Sequence, residues 1–234
     1  MDILETDAHH RRKLAAEARG RTVRLLPFLV SCALYFGLWL PEPSWPSAVT
    51  KILPVLSLVL FIWSESNGSW TPYAQGIFWG LLCSCAGDIC LVWPDLFLPG
   101  AGAFAIAHLC YLWALGLRPV RPVAFVLTAV VWTATLVCLK PCLDSPVLGC
   151  AGIYSALLLA AACRSLSRLP SPHWSPWLMA CGFLLFATSD AILVFDRFCL
   201  LLPWARFVVM VTYYMAQSLI AASVVGEAIH WKDI

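Results

Sequence analysis

The sequence predicts an all-α fold, a polytopic membrane bundle of about eight transmembrane helices. Three observations predict it. Of 234 residues, 61% are hydrophobic and 12% charged, and the mean hydropathy is +0.82, outside the usual mix of a soluble domain. Apolar runs of bilayer-spanning length recur from residue 24 to residue 226. The breaks between them are rich in turn residues and too short for anything but antiparallel neighbours. A formal charge of +2 leaves no electrostatic footprint for a nucleic-acid partner.

Residues 1–23 carry "HHRRK" and nearby acids but neither the apolar core nor the cleavage site of a signal peptide, so they read as a retained cytosolic tail. The first span, about 24–40, stops at "PEPSWPS"; the second, 48–63, holds Lys51 and Pro54 and stops at "SNGSWTP". The third, 73–93, carries Gly76, Gly80, Ser84 and Gly87 at steps of three or four, a stripe that lets another helix approach closely. Spans at 100–117 and 120–139 flank "RPVRP", the sixth at 147–164 precedes "LPSPHWSP", and 176–195 and 205–226 complete the set before a short tail, 227–234.

With the N-terminus in the cytosol, Arg11, Arg12, Lys13, Arg19, Arg21, Arg24, Arg118, Arg121, Arg164, Arg168 and Lys232 fall inside, and only Lys51, Lys140, Arg197 and Arg206 outside. By the positive-inside rule both termini are cytosolic. The "NGS" at Asn67 then faces the cytosol and stays unglycosylated. The 11 cysteines form no CxxC pair, and neither Cys83 with Cys85 nor Cys138 with Cys142 suits zinc, so all read as small apolar filler. "GDICLVW" ends the third span and "SDAILVF" the seventh. That match hints at a four-plus-four parallel repeat.

A charge at membrane depth costs several kcal/mol unless it faces protein or a water-filled cavity, so intramembrane carboxylates are functional candidates. Asp88 and Asp190 occupy matching positions near the non-cytosolic ends of their spans, and His108, Tyr213, Tyr214, Gln217 and Lys51 fall at the same depth. His108 shares a helix face with Tyr111, and Tyr213 with Gln217. Blander roles stand beside these: structural aspartates bonded to a neighbouring helix, a packing histidine, wall tyrosines, a snorkelling Lys51. Asp95, Asp144, Asp196 and Glu227 lie in loops or at span ends and need no function.

Four of the five histidines lie outside the spans, which leaves His108 and disfavours a zinc site, although Asp88, Asp190 and His108 could in principle hold a metal. No GxSxG elbow is present. Acid and base chemistry by paired carboxylates remains.

Together "KILP" (Lys51, Pro54), "GDICLVW" (Asp88), "AHLCY" (His108), "GIYSALL" (Tyr154), "SDAILVF" (Asp190) and "TYYMAQ" (Tyr213, Tyr214, Gln217) resemble the lysoplasmalogenase family of eight-span membrane proteins, in order and over essentially the whole chain after the tail. The resemblance implies an endoplasmic reticulum enzyme that cleaves the vinyl ether bond of lysoplasmenylcholine and lysoplasmenylethanolamine without a cofactor, its partner being a lysophospholipid in the membrane. Residues 24–226 are then its catalytic domain. Vinyl ether hydrolysis begins with protonation of the outer alkene carbon and passes through an oxocarbenium ion. One of Asp88 and Asp190 donates the proton and the other, ionised, stabilises the cation or activates water, as carboxylate pairs do in glycosidases. His108, Tyr154, Tyr213, Tyr214 and Gln217 orient water or substrate, and Lys51 or Arg206 meets the phosphate. The rival from another class is a proton-coupled lipid or small-molecule transporter with the aspartates as ion sites, against which the spans lack paired Gly/Pro breaks. A metal-dependent membrane hydrolase is the third reading.

Overall fold

The computed structural model describes residues 3–66 and 70–230, and the side chains of 19–66 and 70–227. Among them are eight long helices and no strand: α1 (Ile3–Leu38), α2 (Trp45–Ser66), α3 (Pro72–Leu91), α4 (Phe97–Leu115), α5 (Pro122–Leu139), α6 (Ser145–Ser167), α7 (Ser175–Phe198) and α8 (Ala205–His230), with a 3₁₀ turn at Pro94–Leu96. Each contains a stretch long and apolar enough to cross a membrane, so the chain is a multi-pass membrane protein. The tail expected before residue 24 is helical from Ile3 and runs into the first span unbroken. Its Ala, Leu, Glu, Arg and Lys content favours helix without help from packing. Asn67 lies outside the described residues.

Helix starts follow local chemistry. Thr71 caps α3, its hydroxyl accepting from the Ala74 N–H at 3.1 Å, and Pro72 follows where no N–H is needed. Pro54 inside α2 removes an N–H from the ladder, and one residue past the carbonyl this leaves open, Lys51 O accepts from the Tyr214 hydroxyl at 2.8 Å. At the end of α4, Gly116 takes φ +66°. Arg164 from α6 donates to the Gly116 and Leu115 carbonyls at 2.6 and 3.2 Å, closing a helix end that would otherwise be open.

The hairpins α3–α4 and α7–α8 pack most extensively; α2 joins α1, α3 and α8, and α6 joins α4, α5 and α7. The glycine stripe explains the first hairpin. A Cβ on Gly80 would lie 2.1 Å from the Tyr111 ring, on Gly76 2.7 Å from Ala114, and on Gly87 2.6 Å from Phe104, all on α4. On α7, a Cβ on Gly182 would lie 2.8 Å from Ile220 of α8. Gly80 and Gly182 each stand eight residues before the aspartate of their helix (88−80 and 190−182). By contrast α5 turns Val123, Phe125, Val126, Val130 and Val131 outward, as a helix solvated by lipid can.

One cysteine pair departs from the filler reading. Cys142, after α5, and Cys199, after α7, form a disulfide with Cα atoms 5.1 Å apart. Both lie at the end of the bundle opposite the termini, where the two loops meet.

Candidate active site

Asp88 sits near the end of α3 and is 2% exposed. Its Oδ2 accepts from the Tyr213 hydroxyl of α8 at 2.7 Å. Gln217, one turn further along α8, donates from Nε2 to the Tyr213 oxygen at 3.2 Å, and its Oε1 accepts from Tyr111 of α4 at 3.0 Å. Tyr111, Gln217 and Tyr213 therefore form one chain of donors pointing at the Asp88 carboxylate, each bond polarising the next. Lys51 of α2 lies within electrostatic range of the same carboxylate. Tyr214 holds the Lys51 backbone rather than the carboxylate.

Asp190 on α7 has a different setting. Its Oδ2 accepts a short hydrogen bond from Tyr154 of α6, and His108 Nε2 lies 3.4 Å from the Tyr154 oxygen. The single phenolic proton of Tyr154 is committed to Asp190, so His108 Nε2 is the donor in that contact. A neutral His108 then presents Nδ1 as a lone pair, and this buried nitrogen has no hydrogen-bond partner among the described residues. Among the described residues no ion pair reaches Asp190, whereas Lys51 stands on the Asp88 side. Asp190 and Tyr154 are also only partly buried, whereas Asp88 is sealed.

Phe104 and Phe186 stand between the two settings. Phe186 meets His108 at 4.9 Å and Tyr213 at 5.5 Å between ring centroids, and Phe104 meets Tyr213 at 5.9 Å. These packed rings link the Tyr213 setting to the His108 setting, and aromatic faces suit a cationic intermediate. Among the described residues no three His, Cys, Asp or Glu side chains converge to share a metal ion.

Every site residue expected from sequence lies in this region. The assignment of tyrosines to aspartates, Tyr213 to Asp88 and Tyr154 to Asp190, was not readable from helical spacing, because each pair joins two helices. Lys51, expected to meet the phosphate or, more blandly, to snorkel, is 7% exposed and turned toward Glu42, at 4.0 Å. Sequence reasoning misses Glu42, a loop acid whose role shows only where Lys51 and Arg206 meet it. A cavity of about 300 Å³ lies far from the aspartates, at the end of the bundle carrying the termini, lined by Arg121, Arg168, His173 and Glu227 among others.

The model of the YhhN family matches residues 47–224, which include every one of these site residues except Glu42. The chain is 42% identical over 206 residues to Lysoplasmalogenase TMEM86B of Rattus norvegicus, covering 85% of this chain and 82% of that one. It is 41% identical over 216 residues to Lysoplasmalogenase TMEM86B of Homo sapiens, covering 89% of each. With Lysoplasmalogenase TMEM86A of Homo sapiens it shares 34% over 212 residues, 86% of this chain and 88% of that one. No solved structure matches. With a family match across most of its length, including both aspartate helices, and relatives of this similarity, the chain belongs to the YhhN family, the family of the lysoplasmalogenases.

Proposed function

We propose that this protein hydrolyses the vinyl ether bond of lysoplasmalogens carrying choline or ethanolamine headgroups, releasing a fatty aldehyde and the glycerophosphodiester. One observation carries the mechanism: two tyrosine-held aspartates whose settings are joined through Phe186, with a lysine near Asp88. Lys51 and the donor chain through Tyr213 favour an ionised Asp88. Asp190, without a cation and beside a second carboxylate, is the one that keeps a proton, on the oxygen that Tyr154 does not touch. Its partly exposed edge also meets a lipid arriving from the bilayer first.

Asp190 protonates the outer alkene carbon, and the Asp88 carboxylate stabilises the oxocarbenium ion that forms. Water adds to that cation and yields a proton to Asp88, with His108 Nδ1 orienting it. In the hemiacetal, the hydroxyl returns a proton to Asp190 while Asp88 protonates the departing glycerol oxygen. Both groups regain their starting states, so no cofactor is consumed. Tyr154, Tyr213, Tyr214 and Gln217 position these groups rather than react.

The glycine and aspartate correspondence between α3 and α7 supports a four-plus-four duplication. The Cys142–Cys199 disulfide supports an oxidising compartment at the end opposite the termini. With the excess of Arg and Lys at the other end it favours an endoplasmic reticulum protein with cytosolic termini, tails at 1–23 and 227–234, and a catalytic domain between them.

The test is aldehyde release by detergent-purified protein from a lysoplasmenylcholine, beside the matched ester and saturated ether, with chelator present. Aldehyde from the vinyl ether alone is expected. No aldehyde from folded protein overturns the assignment and returns the aspartates to the ion-site reading.

A further inference from the structure

Where α1 passes into α2, three charged side chains meet on one oxygen. Glu42 Oε1 accepts from Arg206 Nη2 at 3.1 Å and from the Ser47 hydroxyl at 3.2 Å, and stands 4.0 Å from Lys51 Nζ. Arg206 is held in place on every side. It donates to the Leu40 carbonyl at 3.0 Å and to the Tyr35 hydroxyl at 3.3 Å, and its guanidinium lies 4.5 Å from the Trp39 ring centroid. The Lys51 side chain is 8% exposed, and Ser47 is fully buried.

The charges do not balance within this cluster. Two cations share one carboxylate, and the buried Lys51 has only a loose contact with it. The charges of Lys51 and Glu42 reach Asp88, and Tyr214, next to Tyr213, holds the Lys51 backbone, so the cluster lies on the Asp88 side of the site. A rigid, incompletely neutralised Lys and Arg pair beside buried hydroxyls is suited to a phosphate oxygen anion. Glu42 arrives from a loop, and its side chain is 22% exposed, so it is the member free to leave.

We propose that Lys51 and Arg206 form the subsite for the phosphodiester of the lysolipid, and that Glu42 is an internal anion the phosphodiester displaces. This rests on the lysolipid reading of the site. In the resting protein Glu42 keeps the buried Lys51 and the tethered Arg206 from standing unpaired. When substrate binds, the phosphate takes its place and fixes the distance from headgroup to vinyl ether, so only a chain attached at the right position reaches Asp190.

The test is binding of glycerophosphocholine to the detergent-purified full chain, with inorganic phosphate as the second probe, together with KM for the vinyl ether substrate. Arg206→Gln removes a charge-assisted contact and is expected to weaken glycerophosphocholine binding and raise KM by about tenfold, with a much smaller change in kcat. Glu42→Gln removes the competitor and is expected to move both quantities the other way, by several-fold. Opposite shifts distinguish an anion site from general loosening, which weakens binding in both variants. Unchanged affinity and KM in both variants overturn the proposal, as does a response confined to inorganic phosphate, which marks a free-anion site. Binding is read without turnover. A failure to release aldehyde therefore overturns the reaction, and unchanged binding overturns the subsite alone.

Discussion

Asp190→Asn is expected to lower kcat for vinyl ether cleavage by about 10²–10⁴-fold, the usual worth of a positioned general acid. Asparagine keeps the shape of the side chain and still accepts from Tyr154, so the bundle is expected to retain its thermal unfolding temperature. What it lacks is a proton that can be transferred to carbon. Asp88→Asn is expected to fall in the same range for a different reason, since the oxocarbenium ion loses its counter-charge and the water its acceptor. In the proposed mechanism the two carboxylates act as a unit, so the double variant is expected to be little worse than the poorer single one. Single-turnover rates with matched unfolding curves check all three variants. Near-normal turnover in both single variants would end the paired-carboxylate mechanism.

Tyr154→Phe and Tyr213→Phe are expected to lower kcat by about 10- to 100-fold each, corresponding to the loss of one hydrogen bond to a charged or reacting group. Tyr213→Phe leaves Asp88 without its donor and Gln217 Nε2 without its acceptor. Tyr154→Phe releases Asp190 and strands the Nε2–H of His108. A useful comparison is Tyr73→Phe. The Tyr73 hydroxyl is buried against Ser223 at 2.7 Å, near the other end of the bundle. Its loss is expected to lower stability by about 1–3 kcal/mol while kcat stays near the parent value. If all three tyrosine variants lose stability and none loses kcat beyond Tyr73→Phe, the two site tyrosines are structural only.

The spans were legible because hydrocarbon thickness sets helix length, and because proline and glycine punctuate the loops. The closeness of α3 and α4 was legible in Gly76, Gly80 and Gly87, whose spacing puts them on one face. Asp88 and Asp190 stood out because a carboxylate at membrane depth is costly enough to require a reason. Features that depend on how separate helices meet were not legible. The family resemblance picks out Tyr154, but does not say that Asp190 is across from it. The partner of Cys142 lies 57 residues away, one choice among ten others with no spacing rule to select it. Glu42 was passed over because a loop acid between prolines looks solvated, and only the arrival of Arg206 from α8 gives it a role. The helix before residue 24 was taken as a plain tail because its charge, not its helix propensity, was the stronger signal.

The mechanism is tested most directly by running the reaction in D₂O and measuring the mass of the aldehyde and of the glycerophosphodiester. Proton transfer from Asp190 to the alkene carbon predicts an aldehyde with one deuterium on the carbon next to the carbonyl, formed more slowly than in H₂O. In H₂¹⁸O the glycerophosphodiester should carry no ¹⁸O, because the bond broken lies on the vinyl side of the ether oxygen. An aldehyde without deuterium, or ¹⁸O in the glycerol product, would contradict protonation at carbon and with it the role assigned to Asp190.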